Sequence, residues 1–104
     1  MATAKETVDY IIHKLGDNNF SYRPMFGEYA LYCNSKVIGL VCDDVLFVKI
    51  IPASNELEKL CDKSTPYPGA KLYYVIEESQ LSTIKNLSVI LNAIADDLPA
   101  KKKK

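Results

Sequence analysis

Three apolar runs, Gly27–Cys33, Lys36–Cys42 and Val45–Ile50, are separated only by the polar pairs Asn34-Ser35 and Asp43-Asp44. No other feature limits the fold so tightly. Runs rich in Tyr, Val, Leu, Ile, Phe and Cys read as strands, and two polar residues between such runs suit a tight hairpin loop. A shorter strand over Phe20–Met25 is a candidate to precede them. If both loops hold two residues, Cys33 opposes Lys36 and Cys42 opposes Val45. Strict alternation then sets Tyr29, Leu31, Cys33, Lys36, Ile38, Leu40, Cys42, Val45, Phe47 and Lys49 on one face. Glu28, Ala30, Tyr32, Val37, Gly39, Val41, Leu46, Val48 and Ile50 fall on the other. Both faces are apolar, whereas a half-solvated antiparallel sheet has one polar face. The second face is therefore expected to be covered by another part of the chain, a partner or a second copy. The register also sets Cys33 and Cys42 at opposite ends of a hairpin, beyond the ~7 Å that a disulfide spans.

Helices are expected on either side. Thr3-Ala4-Lys5-Glu6 has capping-box spacing, and Val8, Ile11, Ile12 and Leu15 then form one apolar stripe that Gly16 stops. After Pro52, Ser54 or Asn55 can cap a second helix carrying Leu57, Leu60 and Cys61, with Glu56 and Glu58 in its first turn. Pro68-Gly69 suits the centre of a type II turn, and Leu72–Ile76 reads as another strand. Leu81, Ile84, Leu87, Leu91, Ile94 and Leu98 recur at helical spacing up to Pro99. Helices at both ends of an antiparallel sheet make a two-layer α+β domain.

A chain of 104 residues suits one such domain, expected over 1–98, followed by a disordered lysine tail over 99–104. The formal net charge is zero, with 13 basic and 13 acidic side chains. Without Lys101 to Lys104 the rest carries 9 basic against 13 acidic side chains, a net of −4. An acidic body argues against a phosphate-gripping surface, so nucleic-acid contact is expected only weakly, through the tail. No apolar run reaches the ~18–20 residues of a membrane span, and no signal-peptide core precedes the first helix. A cytoplasmic location and reduced structural cysteines are the expectations. Cys33, Cys42 and Cys61 are widely spaced and the single histidine, His13, lacks companions, so neither a metal site nor a cofactor is expected.

Catalytic templates are absent: there is no nucleophile elbow, phosphate loop, dinucleotide fingerprint or zinc-binding His pair. Asp43-Asp44 and Glu77-Glu78 read as solvated turn residues, and Cys42 has no activating cation beside it. The unusual segment is Arg23-Pro24-Met25-Phe26-Gly27-Glu28-Tyr29. Pro24 holds Arg23 extended, Met25 and Phe26 are core-forming, and Gly27 permits a bulge or close backbone approach. Tyr29 and Tyr32 bring hydroxyls to opposite faces of the sheet.

Arg23-x-Met25-Phe26-Gly27-x-Tyr29, Leu31-Tyr32, Val41-Cys42-Asp43-Asp44, Leu46-Phe47-Val48-Lys49 and Tyr67-Pro68-Gly69-Ala70 occur in that order. The ordered set resembles the TfoX N-terminal domain family from the first helix to Pro99. The resemblance implies a secretion-chaperone-like α+β fold in the order α-β(3)-α-β(2)-α. It also implies kinship with the front half of the TfoX/Sxy competence regulators, which promote transcription of DNA-uptake genes. Those regulators continue into a helical C-terminal domain, whereas this chain reaches its lysine tail first.

The function expected from these features is non-enzymatic: a regulatory or protein-interaction domain, with self-association as a homodimer its simplest form. Binding candidates are Arg23, Met25, Phe26, Gly27, Glu28, Tyr29, Tyr32, Lys49 and Tyr67. An alternative is a small-anion site, or an unrecognised enzyme, using Arg23, Glu28 and Lys49 with Tyr32 and Tyr67, in which Arg23 would hold the anion with two hydrogen bonds.

Overall fold

The structure, a computed structural model, describes residues 5–16, 19–25, 28–84 and 86–98. Helix α1 (Lys5–Leu15) precedes strands β1 (Phe20–Met25), β2 (Glu28–Cys33), β3 (Lys36–Cys42) and β4 (Val45–Lys49). A 3₁₀ segment (Pro52–Lys59), β5 (Asp62–Ser64), β6 (Tyr73–Ile76), α2 (Gln80–Thr83) and α3 (Leu87–Asp97) follow. The strands form one antiparallel sheet in the order β1-β2-β3-β4-β6-β5. Among the described residues, every buried apolar side chain of the helices belongs to the larger of two apolar clusters, so the helices cover one face, as in a two-layer α+β domain.

Both hairpins have the expected two-residue loops. Cys33 faces Lys36 and Cys42 faces Val45. Asn34 and Ser35 have φ of 53° and 69°, Asp43 and Asp44 of 54° and 63°. Positive φ at both central positions matches the right-handed twist of paired strands, and Asn and Asp tolerate it best after Gly. Cys33 and Cys42 form no disulfide with each other and lie in different clusters.

Strict alternation fails in the middle of β3. The β2–β3 ladder pairs Tyr32 with Val37 but Leu31 with Gly39, leaving Ile38 as an extra residue. Everything beyond that bulge changes face. Ile38, Val41, Leu46 and Val48 lie under the helices with Leu31 and Cys33. Leu40, Cys42, Val45 and Phe47, expected on that face, lie instead on the opposite one with Ala30 and Tyr32. Gly39 permits the bulge. A Cβ there would sit 2.2 Å from the Phe47 carbonyl oxygen and 3.2 Å from the Val48 Cα.

The flanking elements follow the sequence with three differences. Val8, Ile11 and Leu15 of α1 are buried, and Gly16, at φ +80°, ends it by donating its N–H to the Ile12 carbonyl. The capping-box residues Thr3 and Ala4 lie outside the described residues. The second helix is 3₁₀ rather than α, and Ser54 lies inside it rather than capping it. The Ser54 hydroxyl is fully buried at the corner after β4. It accepts the Ile51 N–H at 3.0 Å and lies 2.8 Å from the Lys49 carbonyl, to which it donates. Leu57 is fully buried and anchors the segment's apolar side, with Ala53 half-buried against the same cluster, while Leu60 is 53% exposed. The last helix is broken: Ile84 is extended (φ −82°, ψ 102°), and α3 begins afresh after Asn86. Ser82, Thr83 and Asn86 are weak helix formers, and the break still buries Leu81, Ile84 and Leu87. The family-implied order therefore holds in outline, with four strands instead of three before the second helix. Pro68-Gly69 forms the expected turn, with Gly69 at φ +88° and the Ala70 N–H donated to the Tyr67 carbonyl at 3.1 Å.

Polar contacts fix the helices to the sheet. The Tyr22 hydroxyl donates to Asp9 at 2.8 Å and Thr7 to Asp44 at 2.9 Å, tying α1 to β1 and to the β3–β4 turn. Lys36 donates to the Ala95 and Leu98 carbonyls at 2.8 and 3.0 Å, which satisfies the open end of α3 and complements its dipole.

Candidate functional site

The register collects most of the expected binding residues on the sheet face away from the helices. Arg23, Met25, Glu28, Tyr32 and Lys49 alternate in phase with Ala30, Leu40, Cys42, Phe47 and Tyr73, the buried centre of that face. Val37, Val45 and Val75 are half-buried around them. Each strand supplies the face by its period of two, and the bulge at Ile38 lets β3 and β4 contribute large side chains to it.

The polar groups lie at the margins of this apolar centre. The Arg23 guanidinium lies over the Tyr32 ring, 5.7 Å from its centroid, within cation–π range. Two residues along β2 from Ala30, the partner of Arg23, Glu28 accepts the Asp43 N–H at 3.1 Å. Lys49 faces Tyr73 across the β4–β6 ladder. Burial lowers the pKa of its ammonium, and the charge of Lys71 lowers it further. Burial raises the Tyr73 phenol, with Tyr67 adding to the shift, so the loop before β6 borders this face. Burial also raises the Cys42 thiol, with Glu28 and Asp43 pushing the same way. That makes Cys42 a packing residue rather than a nucleophile.

The candidates do not converge on one point. Arg23 is on edge strand β1, three strand positions from Lys49 on β4, a span of roughly 14 Å at ordinary strand spacing. Glu28 lies at the end of the face near the β3–β4 turn, whereas Lys49 lies at the other end of β4. Tyr29 is on the helix side, where its ring meets Tyr22 edge-on at 5.3 Å, and it supports the core. Phe26 and Gly27 lie outside the described residues, as does the lysine tail. Among the described residues no group of three His, Cys, Asp or Glu side chains could hold a metal ion. Nor is any helix long and apolar enough to cross a membrane.

Some features escape the sequence. Lys71 and Tyr73 join the second face through the loop and β6. On the helix side Asn19 donates to Asn92, and also to the Cys33 sulfur at 3.3 Å, a polar link between β1's approach and α3. Only the tertiary packing brings these residues together.

Residues 13–95, most of the chain, match the family described as the TfoX N-terminal domain. The chain belongs to that family. The chain is similar to an uncharacterized 12.7 kDa protein in the trpE 5′ region of Spirochaeta aurantia. It is 33% identical over 103 residues, covering 98% of this chain and 89% of the relative. As a TfoX N-terminal domain, the chain runs nearly the full length of this relative, and the match includes both hairpins and the second sheet face.

Proposed function

We propose that this TfoX N-terminal domain is a non-enzymatic, regulatory interaction module that self-associates through the second face of its sheet. One observation carries the reading: the face holds its own apolar cluster, and every buried apolar side chain of the helices, among the described residues, belongs to the other cluster. The cluster's centre is buried within the chain, and its half-buried margin, Met25, Tyr32, Val37, Val45 and Val75, is the apolar surface a second copy would cover.

Both sheet edges favour a face over an edge as the contact. Pro24 interrupts the donor row of β1, and β5 is three exposed residues, Asp62-Lys63-Ser64. Proline, shortness and charge are the features that block strand addition. The face has a cation at Lys49 and an anion at Glu28, at opposite ends of the strands, with Arg23 between them on the edge strand. A two-fold axis can place unlike ends of two copies together, which makes the surface self-complementary.

Sedimentation over a wide concentration range tests this. The wild type is expected to pass from monomer to dimer, and Val37→Lys with Val75→Lys to remain monomeric with an unchanged circular dichroism spectrum. A wild type monomeric throughout, or folded variants that still dimerise, would overturn the proposal.

A further inference from the structure

We infer that one end of the sheet, together with the lysines Lys101 to Lys104, docks the domain on an anionic lipid surface. β4 closes at Lys49 and β6 opens at Tyr73, and these two residues face each other in the last pair of their ladder. Continued by one residue, that register sets Ile50 beside Leu72, and both are exposed. Tyr67 is exposed on the turn that leads into β6, near enough to Tyr73 to act on its phenol. These are three of the six large apolar side chains exposed among the described residues. Two cations flank them, Lys49 and Lys71. Lys49 is half-buried, and the two charges lie close enough to disfavour each other. Among the described residues neither has an ion pair.

The lysine run leaves the domain from the same end. Lys36 opens β3 and holds the Ala95 and Leu98 carbonyls, and in the antiparallel sheet the start of β3 lies level with the close of β4 and the start of β6. Lys101 to Lys104 follow Leu98 after Pro99 and Ala100, so the chain cannot carry them more than roughly 20 Å from it. The opposite end of the sheet is acidic: Glu28 opens β2, Asp43 and Asp44 form the β3–β4 turn, and Glu77 and Glu78 follow β6. Asp96 and Asp97, at the end of α3, offset only part of the basic charge. The zero net charge thus resolves into a molecule polarised along its strands, which turns its basic end toward an anionic surface. The apolar side chains select lipid among the polyanions. Nucleic acid would engage the lysines and leave Ile50, Tyr67 and Leu72 in water. At a headgroup boundary the apolar groups enter the acyl region while the lysines reach the phosphates. Stable attachment takes two such signals, and here an apolar tip is joined to a polybasic run.

Flotation of the full chain with vesicles of phosphatidylcholine alone, and of phosphatidylcholine mixed with phosphatidylglycerol, tests the inference. The protein is expected to float with the mixed vesicles, to stay behind with the neutral ones and to be released by salt. Removing Lys101 to Lys104 is expected to weaken vesicle affinity by about tenfold or more. Tyr67→Ser with Leu72→Ser is expected to weaken it about tenfold. Both residues are exposed and lie outside the helices and strands, so the circular dichroism spectrum stays that of the wild type. Val89→Ser, at an exposed apolar position on α3, is the control and is expected to leave binding unchanged. Soluble glycerol phosphate is expected not to displace the protein. Absence of flotation with the mixed vesicles would overturn the inference, as would displacement by glycerol phosphate. A Tyr67 and Leu72 double variant that binds as tightly as wild type would overturn it too, and so would a DNA duplex that strips the protein from vesicles at equal phosphate concentration.

Discussion

Replacing Gly39 by alanine isolates the contact on which the sheet's register depends. The added Cβ would lie 2.2 Å from the Phe47 carbonyl oxygen. Carbon–oxygen contacts across strands bottom out near ~3.3 Å, so β4 would have to withdraw by roughly 1 Å. The obstructing atom is backbone, and no rotamer change relieves it. Moreover β4 is central, held by β3 on one side and β6 on the other. Withdrawal stretches the ladder bonds near Gly39 beyond hydrogen-bonding distance, at about 0.5–1.5 kcal/mol each. Overpacking adds about 1–3 kcal/mol, while the lower unfolded-state entropy of alanine returns about 0.5–1 kcal/mol. A net loss of about 2–4 kcal/mol is expected, from a total that is typically about 5–15 kcal/mol, so the variant stays folded in buffer. Urea unfolding followed by circular dichroism would show a lower midpoint with an unchanged slope. Gly69→Ala is the control. Gly69 has φ +88° and no atom within 4 Å of the added Cβ, so its loss is backbone strain alone, about 1–2 kcal/mol. If Gly39→Ala lies within about 0.5 kcal/mol of wild type, or costs no more than Gly69→Ala, the steric account of the bulge is wrong.

Three further variants probe separate parts of the fold. Ser54→Ala strips the Ile51 N–H and the Lys49 carbonyl of a buried partner and is expected to cost about 1–3 kcal/mol in the same urea assay; an effect near zero would mean that water replaces the hydroxyl. Ser35→Gly relieves φ +69° in the first hairpin, at about 1–2 kcal/mol, against a glycine entropy cost of about 0.5–1 kcal/mol. Its melting temperature is expected to rise by about 2–4 °C, and a fall would contradict the turn assignment. Lys49→Met removes an ammonium whose pKa burial has lowered. The unfolded chain holds that proton more tightly, so wild-type stability rises with pH between the folded value and the ordinary 10.5. Lys49→Met is therefore expected to be the more stable protein at neutral pH, with the gap closing above the ordinary lysine range; a constant gap across pH would refute the burial argument.

The loops, the turn and α1 were legible because each rests on local chemistry. Asn34-Ser35 and Asp43-Asp44 are short polar breaks between strand formers, Gly16 stops an amphipathic stripe, and Pro68-Gly69 sets its own turn. What misled was a rule applied past its range. Period two is a property of an unbroken ladder, and nothing around Ile38 marks a break except Gly39. A glycine within a strand does signal a bulge or a close approach. Gly39 carried that signal, while the sequence drew attention to Gly27 instead. The broken last helix has a similar cause: the apolar spacing from Leu81 to Leu98 is continuous, and only the weak formers Ser82, Thr83 and Asn86 announce the interruption.

The bulge also decides how the surface of the domain is read. With strict alternation, Leu40, Cys42, Val45 and Phe47 would join Leu31 under the helices, and Val41, Leu46 and Val48 would face outward. With one residue inserted, Phe47 and Leu40 fill the second face between Arg23, Tyr32 and Lys49, while Leu46 drops to the helix side. The make-up of both sheet faces thus depends on the same backbone irregularity. A register without the bulge would give the second face three smaller aliphatic residues instead of its aromatic centre. Gly39→Ala, if it shifts the register rather than only weakening it, is therefore expected to impair dimerisation as the Val37 and Val75 variants do, but with a lowered urea midpoint that those surface variants do not show.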